Sequence, residues 1–221
     1  MLNPLQPPEL LQISRELANS ALDISAVRFS PGKPFLWASG YRMPIYSDTR
    51  LFLGNAAHRA LIARGFKLLI ESHGIRPEVI AGTATAGISP ATTLADALGI
   101  PLCYVRDKPK DHGLMNRIEG VIPKGRRVVL VEDVISTGGS SLSAVGALRE
   151  IGASVNWCLA IFSYNFPEAV EQFKGIHCGL TSVLTYEVLV QAAAEKKYLS
   201  ASEQEELARW RADPFHWKSP S

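Results

Sequence analysis

The residues most able to do chemistry stand together in residues 128–141. The letters read V-V-L-V-E-D-V-I-S-T-G-G-S-S, so aliphatic residues precede Glu132 and Asp133, and small hydroxylated residues and glycines follow. Apolar residues then recur at helical spacing, at Leu142, Val145, Leu148 and Ile151. We interpret this segment as a buried strand with an acidic end, a glycine-rich loop and a helix.

Such an arrangement favours an anion. Ligands of open α/β sheets bind at the carboxyl ends of the strands, and a loop that opens a helix presents free N–H groups in a positive helix-dipole field. Carboxylates beside a phosphate site accept hydrogen bonds from sugar hydroxyls or hold Mg²⁺. An ordinary turn capped by Ser or Thr is the alternative. It leaves two carboxylates at the end of a buried strand unexplained, where unpaired charge is costly.

The same stretch resembles the phosphoribosyl pyrophosphate (PRPP) motif of type I phosphoribosyltransferases. The hydrophobic strand, the acidic pair and the T-G-G-S loop are all present. The resemblance implies that Glu132 and Asp133 hold the ribose hydroxyls. It implies a PRPP-binding stretch that continues through Val134, Ile135 and Ser136 to the 5′-phosphate cradle, Thr137, Gly138, Gly139 and Ser140. Neither G-x-x-x-x-G-K-[ST] nor G-x-G-x-x-G occurs in the sequence.

A charged segment lies upstream, at residues 104–120. Its order R-x-x-x-K-D-H-G resembles the catalytic loop of orotate phosphoribosyltransferases. The resemblance implies that Arg106, Lys110 and His112 contact the pyrophosphate of PRPP, and that Lys110, His112 and Asp133 are catalytic. Asp107 stands where the family often has a second Lys. A solvated surface loop is the alternative for such a segment.

Base recognition is predicted in residues 37–46. Ser39, Gly40, Pro44 and Tyr46 match the orotate-family stretch K-S-G-x-x-x-P-x-[FY]. The resemblance implies orotate contacts from Ser39 and Tyr46, together with Ser136 at the start of the phosphate loop.

Two family cations are missing from this region. Ala38 replaces the Lys, and Asn165 stands where the family has an Arg. Because the orotate carboxylate needs cationic or N–H donors, we hypothesise that Arg42 or Arg50 supplies the charge. The alternative is that both are solvated surface arginines.

A second small-residue loop, residues 81–88, also follows a predicted strand and opens a predicted helix. Its backbone N–H groups and Thr hydroxyls could form another anion site. The family places its pyrophosphate-binding loop at this point, and a purely structural turn is the alternative.

Strands alternate with helices along most of the chain, which predicts an α/β fold with a mainly parallel sheet flanked by helices. Helices are predicted at 10–22, 55–73, 88–98, 167–174, 186–197 and 203–212, and strands at 78–81, 101–105, from 127, 154–163 and 180–184. We expect a single domain over residues 1–221. It comprises N-terminal helices with a hood over the site (about 1–74), an α/β core (about 75–190) and C-terminal helices (about 191–221); the hood is implied by the resemblance.

Composition narrows the function classes. The chain has 221 residues, 47% of them hydrophobic, and a net charge of +2, which argues against a dedicated nucleic-acid surface. No apolar run reaches the roughly 18 residues of a membrane span, and the first residues lack the features of a signal peptide. Cys103, Cys158 and Cys178 are predicted to be buried, reduced thiols, which indicates a cytoplasmic protein. From the charge and the lack of a membrane-span run we expect neither nucleic-acid nor membrane partners.

The resemblance as a whole implies a member of the orotate phosphoribosyltransferase family. Such an enzyme uses PRPP and orotate as substrates in pyrimidine synthesis, with Mg²⁺ bridging pyrophosphate and ribose oxygens. It implies a homodimer in which the catalytic loop reaches the neighbouring subunit's site. Two alternatives stay open: a phosphoribosyltransferase for a purine or another base, and a PRPP-sensing regulator on the same fold.

Overall fold

The computed structural model describes residues 7–37, 40–108, 117–122 and 124–218. Its N-terminal part contains α1 (Pro8–Asp23), β1 (Val27–Phe29), β2 (Phe35–Leu36), β3 (Arg42–Met43), β4 (Ile45–Ser47), a 3-10 helix (Thr49–Gly54) and α2 (Ala56–Ser72). The first strand pairs antiparallel with β4, and β2 pairs antiparallel with β3. These two small sheets, within residues 27–47, form the region that we call the hood.

The remaining elements build a central sheet with its helices. They are β5 (Val79–Thr83), α3 (Ile88–Leu98), β6 (Leu102–Val105), β7 (Ile118–Glu119), β8 (Arg127–Ile135), α4 (Gly139–Glu150), β9 (Ser154–Ser163), α5 (Pro167–Gly175), β10 (Gly179–Thr185), α6 (Tyr186–Glu195) and α7 (Ala201–Ala212). The sheet order is β10-β9-β8-β5-β6-β7. All neighbours are parallel except β7, which pairs antiparallel with β6. The predicted α/β class with a mainly parallel sheet is confirmed.

Alternation along the strands explains how both faces of the sheet are buried. Val129 and Val131 of β8 belong to one apolar cluster, whereas Val128 and Leu130 belong to the other. Successive side chains of a strand point to opposite faces, so a continuous aliphatic run supplies both clusters. The first cluster includes residues of α1, α2, α3, α6 and the hood, and the second includes residues of α4 and α5.

Strand β8 runs further than the sequence predicted. We expected the carboxylates at its end, but the pairing with β9 continues through Val134↔Phe162 and Ile135↔Ser163. The reason is that Val134 and Ile135 are apolar and extend the same ladder. Glu132 and Asp133 therefore lie inside the strand, near its C-terminal end. The phosphate loop between β8 and α4 is limited to residues 136–138.

Other elements follow the prediction closely. Helix α3 and strand β9 have the predicted bounds, while α6 ends before the predicted residue 197 and α7 begins before 203. The 3-10 helix and β7 were not predicted, because each is a short element without a periodic pattern of its own. No helix within the described ranges combines the length and apolar character needed to cross a membrane.

Candidate active site

Glu132 lies at the centre of a buried hydrogen-bond network. Its side chain is 5% exposed. The Thr83 hydroxyl donates to Oε1 at 2.5 Å, the Ser141 hydroxyl to Oε2 at 2.7 Å and the Ser140 hydroxyl to Oε2 at 3.3 Å. Burial, followed by the negative charge of Asp133, raises the pKa of Glu132 to about 7. The network joins β5, β8 and α4 beneath the predicted ribose site.

Asp133 has a different environment, although it is the next residue. Its side chain is partly exposed, and its Oδ2 atom accepts a hydrogen bond from the Thr49 hydroxyl at 2.8 Å. Thr49 is 3% exposed and begins the 3-10 helix that follows the hood. This contact therefore places the N-terminal part of the chain directly beside the predicted ribose carboxylate.

The phosphate loop leads into α4 through Gly138. This residue is the N-cap, with φ of 82°, and no side chain caps the first N–H groups of the helix. A Cβ at Gly138 would lie 3.0 Å from a ring carbon of Phe173 and would require an unfavourable left-handed backbone. Thr137, Gly139 and Ser140 are exposed. Uncapped N–H groups and the helix dipole make this end of α4 a favourable place for a phosphate.

Not every residue of the predicted PRPP stretch offers a side chain to a ligand. Ile135 is 1% exposed, and its carbonyl accepts a hydrogen bond from the Tyr164 N–H at 2.9 Å. Val134 and Ser136 are partly buried. Their predicted contacts with PRPP stay predictions, and Ile135 could contribute only through its backbone.

The second loop, residues 81–88, lies against β8. A Cβ at Gly87 would approach Thr83 Oγ1 to 2.3 Å and the Val131 carbonyl oxygen to 2.6 Å, so only glycine fits between the two strands. The Thr83 hydroxyl, which we had expected to face an anion, donates to Glu132 instead. The peptide bond between Ala84 and Thr85 is cis. Ala86 and Ser89 line a surface depression together with Thr49 and Arg50.

Arg106 follows β6 at the same edge of the sheet. Its guanidinium lies 3.4 Å from Glu119 Oε1. Its backbone N–H donates to the Arg117 carbonyl at 2.7 Å, and its carbonyl accepts a hydrogen bond from Arg117 Nε at 3.1 Å. The side chain is 38% exposed, so an incoming phosphate could reach it. The other predicted members of the catalytic loop, Lys110 and His112, lie outside the described residues.

The predicted base-recognition residues are only partly brought together. Tyr46 is partly exposed on β4, whereas Ser39 lies outside the described residues. Arg50 donates to both oxygens of Asp48, at 2.6 and 3.0 Å, and this contact raises the pKa of Arg50 and lowers that of Asp48. Arg42 is exposed on β3.

Asn165, which stands where the family has an Arg, contacts an arginine from a distant part of the chain. Asn165 follows β9, and its carbonyl accepts a hydrogen bond at 2.9 Å from Arg211 of α7. Arg211 also pairs with Glu187 at 2.9 Å and lies over the rings of Phe166 and Tyr186. This contact could not be predicted from local residues, because α7 is separated from β9 by two helices and a strand.

Aromatic packing fixes the hood to the core. Trp37 lies 5.0 Å from the ring of Tyr164, and the Tyr164 hydroxyl lies 2.9 Å from Ser47 Oγ. Trp210 of α7 is fully buried, and its Nε1 atom donates to the sulfur of Met43. Burial raises the pKa of Tyr164, so its hydroxyl stays neutral and can serve as a hydrogen-bond partner.

The sequence interpretation missed Thr49 and Ser141, which contact the acidic pair, and Arg28, which lies over Tyr46. Ser141 extends the hydroxyl run S-T-G-G-S-S by one residue, so its place in the motif was a usable signal. Thr49 and Arg28 carry no such signal, because each reaches its contact only through the folding of residues 27–54.

The arrangement can hold a sugar phosphate. One carboxylate is partly exposed beside an uncapped helix N-terminus, a second loop opens next to it, and an arginine follows the neighbouring strand. Among residues 7–37, 40–108, 117–122 and 124–218, no cluster of three acidic, His or Cys side chains forms a metal site.

Comparisons with known proteins agree with this geometry. The phosphoribosyl transferase domain family matches residues 53–165. The orotate phosphoribosyltransferase of Cytophaga hutchinsonii is 45% identical over 208 residues, which cover 94% of this chain and 100% of the relative.

Solved structures show the same fold. The orotate phosphoribosyltransferase of Aeropyrum pernix is 32% identical, with a TM-score of 0.70 over 83% of this chain and 99% of its own. The Mycobacterium tuberculosis orotate phosphoribosyltransferase, solved in complex with PRPP, is 27% identical, with a TM-score of 0.64 over 80% of this chain and 98% of its own. The motifs, the fold and these similarities together place the chain in the orotate phosphoribosyltransferase family.

Proposed function

We propose that this chain transfers the 5-phosphoribosyl group of PRPP to orotate, giving orotidine 5′-monophosphate and pyrophosphate in pyrimidine biosynthesis. The observation that carries the proposal is the pairing of a partly exposed Asp133 with the uncapped N-terminus of α4 at one end of the sheet. A carboxylate for ribose hydroxyls and a cradle for a phosphate are thus separated by a few residues of loop, as a ribose 5-phosphate requires.

PRPP binding divides among the loops of the site. We assign the 5′-phosphate to Thr137–Ser140 and the ribose hydroxyls to Asp133, with Glu132 as the second acidic residue of the family motif. Pyrophosphate then falls to Arg106, Lys110 and His112. The exposure of Arg106 supports its part of this assignment. Orotate is placed against Tyr46, Ser39 and Ser136.

The reaction is a displacement at ribose C1 through an oxocarbenium-like state. Negative charge moves onto the leaving pyrophosphate, so fixed cations and N–H donors stabilise the transition state more than the ground state. Holding both substrates in line removes the entropy cost of their encounter. Exclusion of water matters as well, because water would hydrolyse the cationic centre.

Mg²⁺ fits this donor set as a substrate-bound ion. Magnesium is commonly held by one or two carboxylates together with substrate phosphates and water. The chain offers Asp133, which is partly exposed, whereas Glu132 is held by internal donors. When bound with PRPP, the ion supplies positive charge to pyrophosphate and ribose oxygens.

We further propose a cytoplasmic homodimer in which Lys110 and His112 of one subunit serve the site of its neighbour. Cys103, Cys158 and Cys178 are buried and free, in keeping with a reducing compartment. The dimer is tested by mixing Lys110→Ala and Asp133→Asn subunits, each nearly inactive alone. If the loop acts across the interface, one site of the heterodimer combines an intact loop with an intact ribose pocket, and activity returns. No recovery after verified subunit exchange contradicts the shared site.

The reaction itself is tested by measuring pyrophosphate release from PRPP with orotate, uracil, hypoxanthine and xanthine in turn, with Mg²⁺ present. We expect release with orotate and far slower release with the other bases. Faster turnover of either purine would favour a purine phosphoribosyltransferase. PRPP binding without turnover of any base would favour a regulator.

A further inference from the structure

Arg28 and Tyr46 lie opposite each other in the hood. They are register partners in the antiparallel β1–β4 pair. Their neighbours Val27 and Ile45 are buried, at 1% and 0% exposure, so Arg28 and Tyr46 project from the other face of the pair. Arg28 is exposed, and Tyr46 is partly exposed. A ligand could therefore reach both side chains.

Two aromatic rings hold the Arg28 guanidinium. Its Cζ atom lies 5.4 Å from the ring centroid of Phe35 and 5.4 Å from that of Tyr46. The rings are 5.7 Å apart and inclined by 39°. Cation–π contact restricts the guanidinium without neutralising it. The cluster therefore presents a fixed positive charge beside two flat apolar faces.

Arg28 and Arg50 differ in whether a carboxylate pairs with their charge. Asp48, whose pKa Arg28 also affects, receives two hydrogen bonds from Arg50. The lowered pKa of Asp48 follows mainly from Arg50, and Arg28 contributes only a weaker charge effect. In the part of the chain that the structure describes, Arg28 forms no ion pair. Arg50, by contrast, already has a partner.

The cluster is close along the chain to the contact with the predicted ribose carboxylate. From Tyr46 the chain continues through Ser47, which contacts Tyr164 after β9, to Thr49, which donates to Asp133. Three residues thus separate Tyr46 from the predicted ribose carboxylate. The base joins the ribose at C1, which is next to a carbon whose hydroxyl Asp133 would bind. A base attached to that ribose would therefore come near the face that carries Arg28 and Tyr46.

We propose that Arg28 binds the carboxylate of orotate and thereby selects orotate over bases that lack this group. Tyr46 and Phe35 orient the guanidinium and offer a flat surface to the ring. This assignment rests on the proposed function and replaces our hypothesis of Arg50, whose charge is paired, and of Arg42, which lies exposed on β3 opposite Leu36. It gives this chain a cation in place of those absent at Ala38 and Asn165.

The test compares two nucleotides that differ only by the carboxylate, orotidine 5′-monophosphate and uridine 5′-monophosphate. Their dissociation constants are measured by calorimetry for the wild type, Arg28→Gln and Arg28→Ala. We expect loss of the charge to weaken orotidine 5′-monophosphate binding roughly 10- to 100-fold and to change uridine 5′-monophosphate binding less than twofold. Arg28→Lys keeps the charge and should restore part of the preference.

Activity provides the second measurement. In Arg28→Gln, KM for orotate should rise while KM for PRPP stays within about twofold of the wild type. Arg64→Ala removes an exposed arginine of α2 and is the matched control. Equal weakening of both nucleotides would overturn the assignment, and so would a loss of preference in Arg42→Ala instead. Wild-type enzyme that fails to convert orotate would overturn the proposed function too, whereas an active wild type with an unchanged Arg28→Gln variant would overturn only this assignment.

Discussion

The sugar-phosphate half of the site is continuous in the sequence, whereas the base half is assembled from separate segments. Glu132, Asp133 and the phosphate loop all belong to residues 132–140. The base half draws Arg28 from β1, Phe35 from β2 and Tyr46 from β4. Within the first half, strand, loop and helix follow from local residue types; within the second, each residue reaches its place only through strand pairing in the hood.

This difference determines what a sequence can reveal. A loop that opens a helix creates its anion site through its own backbone, so the motif and the site coincide. A base pocket depends on which short strands pair, and a two- or three-residue strand has almost no periodic pattern. Thr49 joins the two halves, since its hydroxyl reaches Asp133 across 84 positions of the chain.

The sugar-phosphate half is tested most severely by Asp133→Asn. The substitution keeps the shape of the side chain and removes the charged acceptor for ribose hydroxyls. We expect kcat/KM for PRPP to fall roughly 30- to 1,000-fold, which corresponds to a loss of transition-state stabilisation on the order of 2–4 kcal/mol. Steady-state kinetics with varied PRPP measure the effect. Asp96→Asn, at an exposed position of α3, is the matched control, and wild-type kinetics in Asp133→Asn would remove this residue from the site.

The second prediction concerns Glu132, which belongs to the same motif but faces inward. Its pKa is raised from 4.5 to about 7, chiefly by burial. Between these values the folded protein binds more protons than the unfolded chain, so the free energy of unfolding should decrease as pH rises from about 4.5 to about 7. Over this window the free energy of unfolding should decrease by at most about 3 kcal/mol because of Glu132. Above about pH 7 this group should cause little further change.

Denaturant unfolding of the ligand-free protein across this pH range measures the effect. Glu132→Gln cannot titrate, so it should lose this part of the pH dependence. Asp133→Asn removes the second cause of the shift, the neighbouring negative charge, and should move the decrease to lower pH. An identical pH slope in the wild type and Glu132→Gln would contradict the buried, raised carboxyl.

Much of the core could be predicted for a physical reason. Strand β9 and helix α3 are long apolar or periodic segments with clear breakers, so their bounds follow from local residues. The predicted end of β8 was wrong by two residues, Val134 and Ile135, because an apolar pair after two carboxylates can belong to either a strand or a loop. The contact between Trp210 and Met43 could not be predicted at all, since it depends on how α7 packs against the hood.

The third prediction concerns Lys110, which lies outside the described residues and was identified from the K-D-H-G pattern alone. If it meets pyrophosphate as charge develops, Lys110→Ala should lower kcat more than it raises KM for PRPP. We expect a loss of about 2 kcal/mol, the usual scale for a hydrogen bond to a charged group. A rise in KM with unchanged kcat would instead assign Lys110 to ground-state binding. Lys67→Ala, on α2, is a control for loss of a lysine away from the site.

Within the candidate site, charged residues could be predicted from the sequence better than the hydroxyl residues that donate hydrogen bonds to them. The acidic pair was visible because two adjacent carboxylates at a buried strand require an explanation. Thr83 and Ser141, which hold Glu132, were visible only as members of small-residue loops. A hydroxyl can face either a ligand or a neighbouring carboxylate, and the packing of β5 against β8 decides between them.

Thr49→Val gives the smallest expected effect and tests the junction between the two halves. Thr49 is 3% exposed, and valine has nearly its shape, so the change mainly removes the hydrogen bond to Asp133. We expect kcat/KM for PRPP to fall by about 1 kcal/mol, roughly fivefold, because water can replace the lost donor at a partly exposed carboxylate. Thr49→Ser retains the hydroxyl and should stay close to the wild type.

Because Thr49 contacts the ribose carboxylate and not the base cluster, the preference for orotate over uracil should be unchanged in Thr49→Val. A changed preference would mean that the two halves are mechanically coupled through the 3-10 helix, and the contrast between a local phosphate site and an assembled base site would then hold for the sequence but not for the working enzyme.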